Sequence, residues 1–159
     1  MKIAINGFGR IGRLVYRLMK EDDFFDVVAI NDLSSSEEMA YLLRYDTNHR
    51  TYDKDITFDS EGIIVDGKKT RVYSEMDPSN LPWGELDIDL VFECTGKFTK
   101  KEDANKHILA GAKKVLISAP GKGDMKTVVY NVNDDILTSD DVIVSAASCT
   151  TNCLAPIVK

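Results

Sequence analysis

Apolar positions along the chain alternate between two rhythms. Lys2-Ile3-Ala4-Ile5-Asn6 is a short apolar run that ends at glycines, which predicts a strand over residues 2 to 6. Beyond it Ile11, Leu14, Val15, Leu18 and Met19 recur at helical spacing, so the expected order is strand, tight turn, helix. Phe25 to Asn31 restores a strand that ends in Asn31-Asp32 and closes a βαβ unit. Ser35-Ser36-Glu37-Glu38 has the Ser-x-x-Glu form of a capping box and predicts a second helix with Met39, Leu42 and Leu43 on one face. From Asp53 to Tyr73 the period shortens, with Asp66-Gly67 standing between extended runs as a hairpin turn.

Pro78, Pro82 and Gly84 mark a loop before the apolar run Asp89 to Glu93, a strand expected to end at Cys94-Thr95-Gly96. Thr99 and Glu102 suggest another capping box, opening a helix that runs to about Ala110. Lys114 to Ser118 and Asp141 to Ser145 supply further strands, and Cys149 falls where the next helix should begin. The alternation of strand and helix predicts an α/β fold, a Rossmann-type doubly wound and mostly parallel sheet with a hairpin insertion near residues 53 to 73. Residues 1 to 148 are expected to form one dinucleotide-binding domain, and residues 149 to 159 the first turns of a second. Lys159 lies about three turns into the last helix with no Gly or Asn stop signal, so the chain reads as part of something longer.

At 159 residues and 43% apolar composition the chain can bury a substantial core, which excludes disordered and fibrous classes. Its formal charge of -6, with Lys and Arg scattered, offers no basic footprint for nucleic acid or an acidic membrane; small-molecule partners are expected. No apolar stretch reaches the roughly 18 residues of a membrane span, and Met1-Lys2-Ile3-Ala4 leads into a strand, so a cytoplasmic location is expected. Three cysteines form neither a zinc ligand set nor a disulfide framework, and no metal is expected.

The chemistry starts at Gly7-Phe8-Gly9-Arg10-Ile11-Gly12, a G-x-G-x-x-G run between strand and helix. Its glycines serve in turn the sharp bend, the approach of a pyrophosphate to the backbone, and close packing of helix on strand. Asp32, twenty residues beyond Gly12, can accept from both hydroxyls of an adenine ribose and would repel a 2′-phosphate, which favours NAD over NADP. Cys94-Thr95-Gly96 and Ser118 fall at carboxyl ends of later strands, where open α/β sheets bind ligands, although each also reads as an ordinary turn residue. A cysteine at a helix start, as Cys149 is, meets unpaired N–H groups and the positive end of the helix dipole, both of which favour the nucleophilic thiolate. Cys153, one turn further on, reads as structural. His49 in a polar loop and His107 among charged neighbours read as surface residues, so neither is a candidate base for Cys149.

Ala4 to Arg13, Ile30 to Leu33, Tyr45-Asp46-Thr47, Asp77-Pro78, Trp83, Thr95-Gly96, Lys113-Lys114-Val115, Ile117 to Pro120 and above all Ala147-Ser148-Cys149-Thr150-Thr151-Asn152-Cys153-Leu154-Ala155-Pro156 closely resemble phosphorylating, NAD-dependent glyceraldehyde-3-phosphate dehydrogenase over the whole chain. The resemblance implies that Cys149 is the nucleophile and that Ser148 and Thr150 bind substrate or inorganic phosphate. It implies that Arg10, Ile11, Asp32 and Ser118 contact NAD, within a cofactor site that also takes in Gly7, Phe8, Gly9, Asn31, Met76, Cys94, Thr95 and Gly96. The implied reaction is thiolate attack on an aldehyde, hydride transfer to the nicotinamide, and cleavage of the thioester by inorganic phosphate in a glycolytic homotetramer. Three departures stand out: Met76 where a basic residue is common, Cys94 in place of a small Ser or Ala, and Asn131 in place of a frequent Gly. The histidine base and phosphate-binding arginine of that family would lie beyond residue 159, so this chain is expected to bind NAD and to lack full turnover alone. Erythrose-4-phosphate dehydrogenase and an NAD-binding module without chemistry are the alternative readings.

Overall fold

The structure, a computed structural model, describes residues Met1 to Lys159. Eight strands form one sheet: β1 (Lys2–Asn6), β2 (Asp26–Asn31), β3 (Ile56–Asp59), β4 (Gly62–Val65), β5 (Lys68–Tyr73), β6 (Leu90–Glu93), β7 (Lys114–Ile117) and β8 (Ile143–Ser145). Their spatial order is β3-β4-β5-β2-β1-β6-β7-β8. All neighbours from β5 to β8 pair in parallel, while β3, β4 and β5 pair antiparallel. The parallel part has the strand order of a dinucleotide-binding sheet, reversing direction between β1 and β6. The predicted hairpin insertion is the β3-β4-β5 edge, and Asp66 and Gly67 turn it with φ values of 50° and 77°, the positive pair that a two-residue turn of this kind requires.

Four α-helices, α1 (Arg10–Met19), α2 (Ser36–Arg44), α3 (Lys101–Leu109) and α4 (Cys149–Val158), and two single 3-10 turns, Pro78–Asn80 and Asp134–Ile136, complete the chain. Two apolar clusters form the core, one holding Ile3, Ile5, Tyr16, Val27 and Ile30, the other Ala4, Ala29, Trp83, Val91 and Val115. Alternation in β1 sends Ile3 and Ile5 to the first and Ala4 to the second. In β2 the register slips, Ile3 facing Val27 and Ala4 facing Ala29, so Val28 is the extra residue of a bulge. That bulge lets Val27 and Ala29, two apart in sequence, serve opposite clusters.

Helix α2 begins as expected: Ser35 Oγ accepts from the Glu38 N–H at 3.2 Å, and Glu38 Oε2 accepts from the Ser35 N–H at 3.1 Å. Its core face is Met39, Ala40 and Leu43, with Leu42 exposed. Helix α1 also differs from its predicted face, for Gly12 and Tyr16 are buried while Ile11 and Leu18 are exposed. Gly12 sets that rotation, because only it can face the turn beneath, and Val15, Tyr16 and Met19 follow at helical spacing. The Thr99 capping box does not form. Lys100 is the N-cap without a side-chain bond, and the Thr99 carbonyl instead accepts from the Lys122 N–H at 2.9 Å, tying the entry of α3 to the loop after β7.

A Cβ on Gly12 would lie 2.1 Å from the Gly7 carbonyl oxygen and 3.2 Å from Ile5 Cγ2. Gly12→Ala should therefore cost about 2 kcal/mol through overpacking, against the gain of about 1 kcal/mol that alanine brings inside an ordinary helix. Urea unfolding followed by circular dichroism measures it, and an unchanged or raised midpoint would show that α1 is free to move off the sheet.

Candidate functional site

Where β1 and β6 part, a cleft of about 290 Å³ opens at the carboxyl edge of the sheet. Asn6, the last residue of β1, borders it with Gly7 and Gly9, and Asn31, the last of β2, with Asp32 and Leu33; Glu75 and Met76 follow β5, and Cys94, Thr95, Lys97 and Phe98 follow β6. This is the switch point at which open α/β sheets hold their ligands. Gly7 has a φ of 92°, and a Cβ there would come within 2.7 Å of the Thr95 nitrogen. A Cβ on Gly9 would meet nothing within 4 Å, so the backbone there stands open to the cleft. Gly9 is the N-cap of α1 and makes no side-chain bond, and the first turn holds no acid. The N-terminal amides and the positive helix end are thus left for an anion.

Asp32 stands at the end of β2. Its Oδ2 accepts from the Phe8 N–H at 2.7 Å and its Oδ1 from the Ser34 N–H at 2.9 Å. Partial burial pushes its carboxyl up, and the hydrogen bonds from Phe8, Ser34 and Leu33 outweigh that and hold it below its ordinary 3.8. Phe8 itself is buried edge-on against Tyr16 and serves by fixing Asp32. Cys94 is largely withdrawn from water, which pushes its thiol up to about 11 despite a hydrogen bond with Ser118.

Beneath the cleft lies a buried polar row. The register sets Asn6 beside Asn31 on one side and Glu93 on the other. Glu93 Oε1 accepts from the Thr95 N–H at 2.8 Å and from the Thr95 hydroxyl. Its Oε2 accepts from Asn6 Nδ2 at 2.6 Å and lies 3.1 Å from His107 Nε2. Asn31 donates to Asn6 Oδ1 at 2.7 Å and to the Glu75 carbonyl at 2.9 Å, and accepts from the Glu75 N–H at 2.8 Å. His107 is not the surface residue its neighbours suggested: it is fully buried, accepts at Nδ1 from the Trp83 indole N–H at 3.0 Å, and faces away from the charged side of α3. Asn6 and Glu93 were also missed, since a lone polar residue at a strand end carries no signal until the register aligns it with its neighbours; Glu75, Lys97 and Phe98 were missed because they lie in loops that only the fold brings to the cleft.

Cys149 opens α4 at the carboxyl end of β8, three strands from β1, about 14 Å along the edge at the usual strand spacing. Ser148 caps the helix, accepting from the Thr151 N–H at 3.0 Å, and its Oγ lies 2.9 Å from Thr150 Oγ1. Buried Ser145 governs the approach: its hydroxyl donates to the Ala119 carbonyl at 2.7 Å and accepts from the N–H groups of Gly121 and Ala147 at 3.0 and 3.1 Å. Ala147, itself buried, is held at a φ of 61°, the left-handed region that side chains avoid. Cys149 is exposed, and so is Cys153 along with the rest of its turn. Asn131, standing where a glycine was expected, has a φ of 59°, a conformation asparagine accepts more readily than most residues.

The structure thus gathers Gly7, Gly9, Asn31, Asp32, Met76, Cys94 and Thr95 around one cleft. Arg10, Ile11, Gly96 and Ser118 lie outside its lining, and Ser148, Cys149 and Thr150 form a separate turn on the same sheet edge. A glycine-rich turn, an uncapped helix start and a strand-end carboxylate at the switch point define a dinucleotide-binding domain. A family model described as the NAD binding domain of glyceraldehyde 3-phosphate dehydrogenase matches residues 1–101. The chain is 52% identical over 158 residues to glyceraldehyde-3-phosphate dehydrogenase of Clostridium pasteurianum, covering 99% of this chain and 47% of that protein. It is 53% identical to glyceraldehyde-3-phosphate dehydrogenase 2 of Bacillus subtilis, covering 100% and 47%. With the Zymomonas mobilis enzyme the identity is 55%, covering 99% and 48%. The chain belongs to the glyceraldehyde 3-phosphate dehydrogenase family, whose N-terminal domain binds NAD, and it spans about half the length of these relatives.

Because Asp32 has a folded value below 3.8, its ionised form stabilises the fold above that pH, and the contribution is lost as pH falls through the lower folded value. Asp32→Asn should lose about 1 kcal/mol at neutral pH, and the gap from the unaltered chain should close only below pH 3.8. Denaturant titrations across the acid range test this. Raising a thiol from 9.0 to about 11 leaves about a hundredth of the thiolate. Iodoacetamide near about pH 8 should accordingly label exposed Cys149 and Cys153 and spare Cys94, a pattern that peptide mass spectrometry reads directly.

Proposed function

We propose that residues 1–148 form the cofactor domain of an NAD-dependent phosphorylating glyceraldehyde-3-phosphate dehydrogenase, and that residues 149–159 begin its catalytic domain. The observation that carries this reading is that the glycine-rich cleft and the Cys149 turn share one sheet edge. NAD would be held by the Gly7–Gly9 turn, the start of α1 at Arg10 and Ile11, and Asp32, with Asn31, Met76, Cys94, Thr95, Gly96 and Ser118 along the edge. The open space at Gly9 and the uncapped first turn suit a pyrophosphate, and the ionised Asp32 suits a ribose diol and opposes a 2′-phosphate. When bound, the cofactor supplies a hydride acceptor.

Cys149, exposed at the first position of α4, adds its sulfur to the aldehyde carbon of glyceraldehyde 3-phosphate. Loss of the former aldehyde hydrogen as hydride leaves a thioester on Cys149. Inorganic phosphate then attacks the acyl carbon, releasing 1,3-bisphosphoglycerate and returning the sulfur as thiolate. The exposed Thr150 hydroxyl and the half-buried Ser148 hydroxyl, both on residues next to Cys149, serve the phosphate or the substrate. By the same reading the enzyme is a glycolytic, cytoplasmic homotetramer.

The protein bearing this sequence should form NADH from glyceraldehyde 3-phosphate only when inorganic phosphate is present. Cys149→Ser should lower kcat by at least about a thousandfold and leave NAD affinity unchanged. Phosphate-independent turnover, or a Cys149→Ser variant with undiminished kcat, would refute the assignment.

A further inference from the structure

We infer that His107 and Glu93 are positioning residues for the cofactor cleft, acting on it through Asn6 and Thr95. The inference rests on the NAD-binding reading and extends it to two residues that do not line the cleft. An indole N–H can only donate, so Nδ1 of His107, 3.0 Å from Trp83 Nε1, must carry the lone pair. The ring proton is therefore on Nε2, which points at Glu93 Oε2 from 3.1 Å. Trp83 thereby selects the tautomer that donates to Glu93. The 3.4 Å approach between His107 Nε2 and Asn6 Nδ2 is a contact of two donors sharing one acceptor.

Glu93 then receives four donors, two on each oxygen: the amide and hydroxyl of Thr95, the carboxamide of Asn6 and the imidazole of His107. With every acceptor position occupied, the carboxylate has one orientation. What it orients is the cleft. Asn6, with its Nδ2 committed to Glu93, turns Oδ1 to Asn31, whose amide in turn clasps both backbone groups of Glu75. Thr95, with its hydroxyl proton committed to Glu93, accepts the Lys97 N–H at 3.0 Å and shapes the loop after β6. Both walls of the cleft are thus referred to one buried carboxylate.

NAD titration of the chain by isothermal calorimetry, with thermal unfolding recorded in parallel, tests this. Glu93→Gln replaces an acceptor with a donor that faces other donors, and should weaken NAD binding by about tenfold or more. His107→Gln can keep a donor toward Glu93 and should stay within about threefold of the unaltered chain, whereas His107→Leu should fall with Glu93→Gln. The nitrogen NMR spectrum of the His107 imidazole should show Nε2 protonated and Nδ1 bare, with and without NAD. A purely structural histidine would give equal losses in its Gln and Leu variants, and that result would overturn the inference, as would a protonated Nδ1 or a Glu93→Gln variant with full affinity. Should His107→Leu fail to fold, the two Gln variants and the spectrum still decide. An unaltered chain without NAD affinity would fell the cofactor reading and this inference with it, while binding by the unaltered chain and the Glu93→Gln variant alike would fell this inference alone.

Discussion

Glu93, Asn6 and Asn31 stand side by side at the carboxyl ends of three adjacent strands, buried in a sheet whose central strands are lined mostly by apolar side chains. Polar groups withdrawn from water cost on the order of kcal/mol each unless their hydrogen bonds are made. Satisfying this row constrains everything around it. His107 has to turn inward from α3, Trp83 has to bring its indole to the far side of that ring, and the Thr95 loop and the Glu75 backbone have to close over the ends. The cleft above keeps its shape because its floor permits one pattern of donors and acceptors.

The close approach of α1 to β1 works in the same direction. Gly7 and Gly12 let the helix start sit almost on the strand end, so the first-turn amides open toward the cleft. Asp32 is drawn to the same loop by the Phe8 N–H, which couples the acid to the turn. At the other end of the edge, Ser145 does for the cysteine turn what Glu93 does for the cleft, gathering three backbone groups onto one buried hydroxyl and holding Ala147 in a conformation it would not choose alone.

Much of this was legible in the residues themselves. The G-x-G-x-x-G run, the acid twenty residues on, the Asp66-Gly67 turn and the Ser35 capping box are local signals, set by backbone conformations only certain residues tolerate, and each formed where expected. The failures share a cause. The Thr99 box lost to a bridge with Lys122, a residue remote in sequence, and the face of α1 was set by the packing of Gly12, not by the most apolar stripe. His107 read as a surface residue because charged neighbours share its helix, while its partners Trp83 and Glu93 come from other elements.

The chain's own order of residues therefore determined the alternation of strand and helix, the glycine turn at the start of α1, the acid at the end of β2, and the cysteine at a helix start. Those are properties of a few consecutive residues and of the periods 2.0 and 3.6. Tertiary structure alone decided the strand order that puts the cleft between β1 and β6, the bulge at Val28 that divides β2 between two cores, and the buried row that carries the cleft. Register between strands distant in sequence is a collective outcome of packing, and only register could bring Asn6, Asn31, Glu93 and His107 within hydrogen-bonding reach.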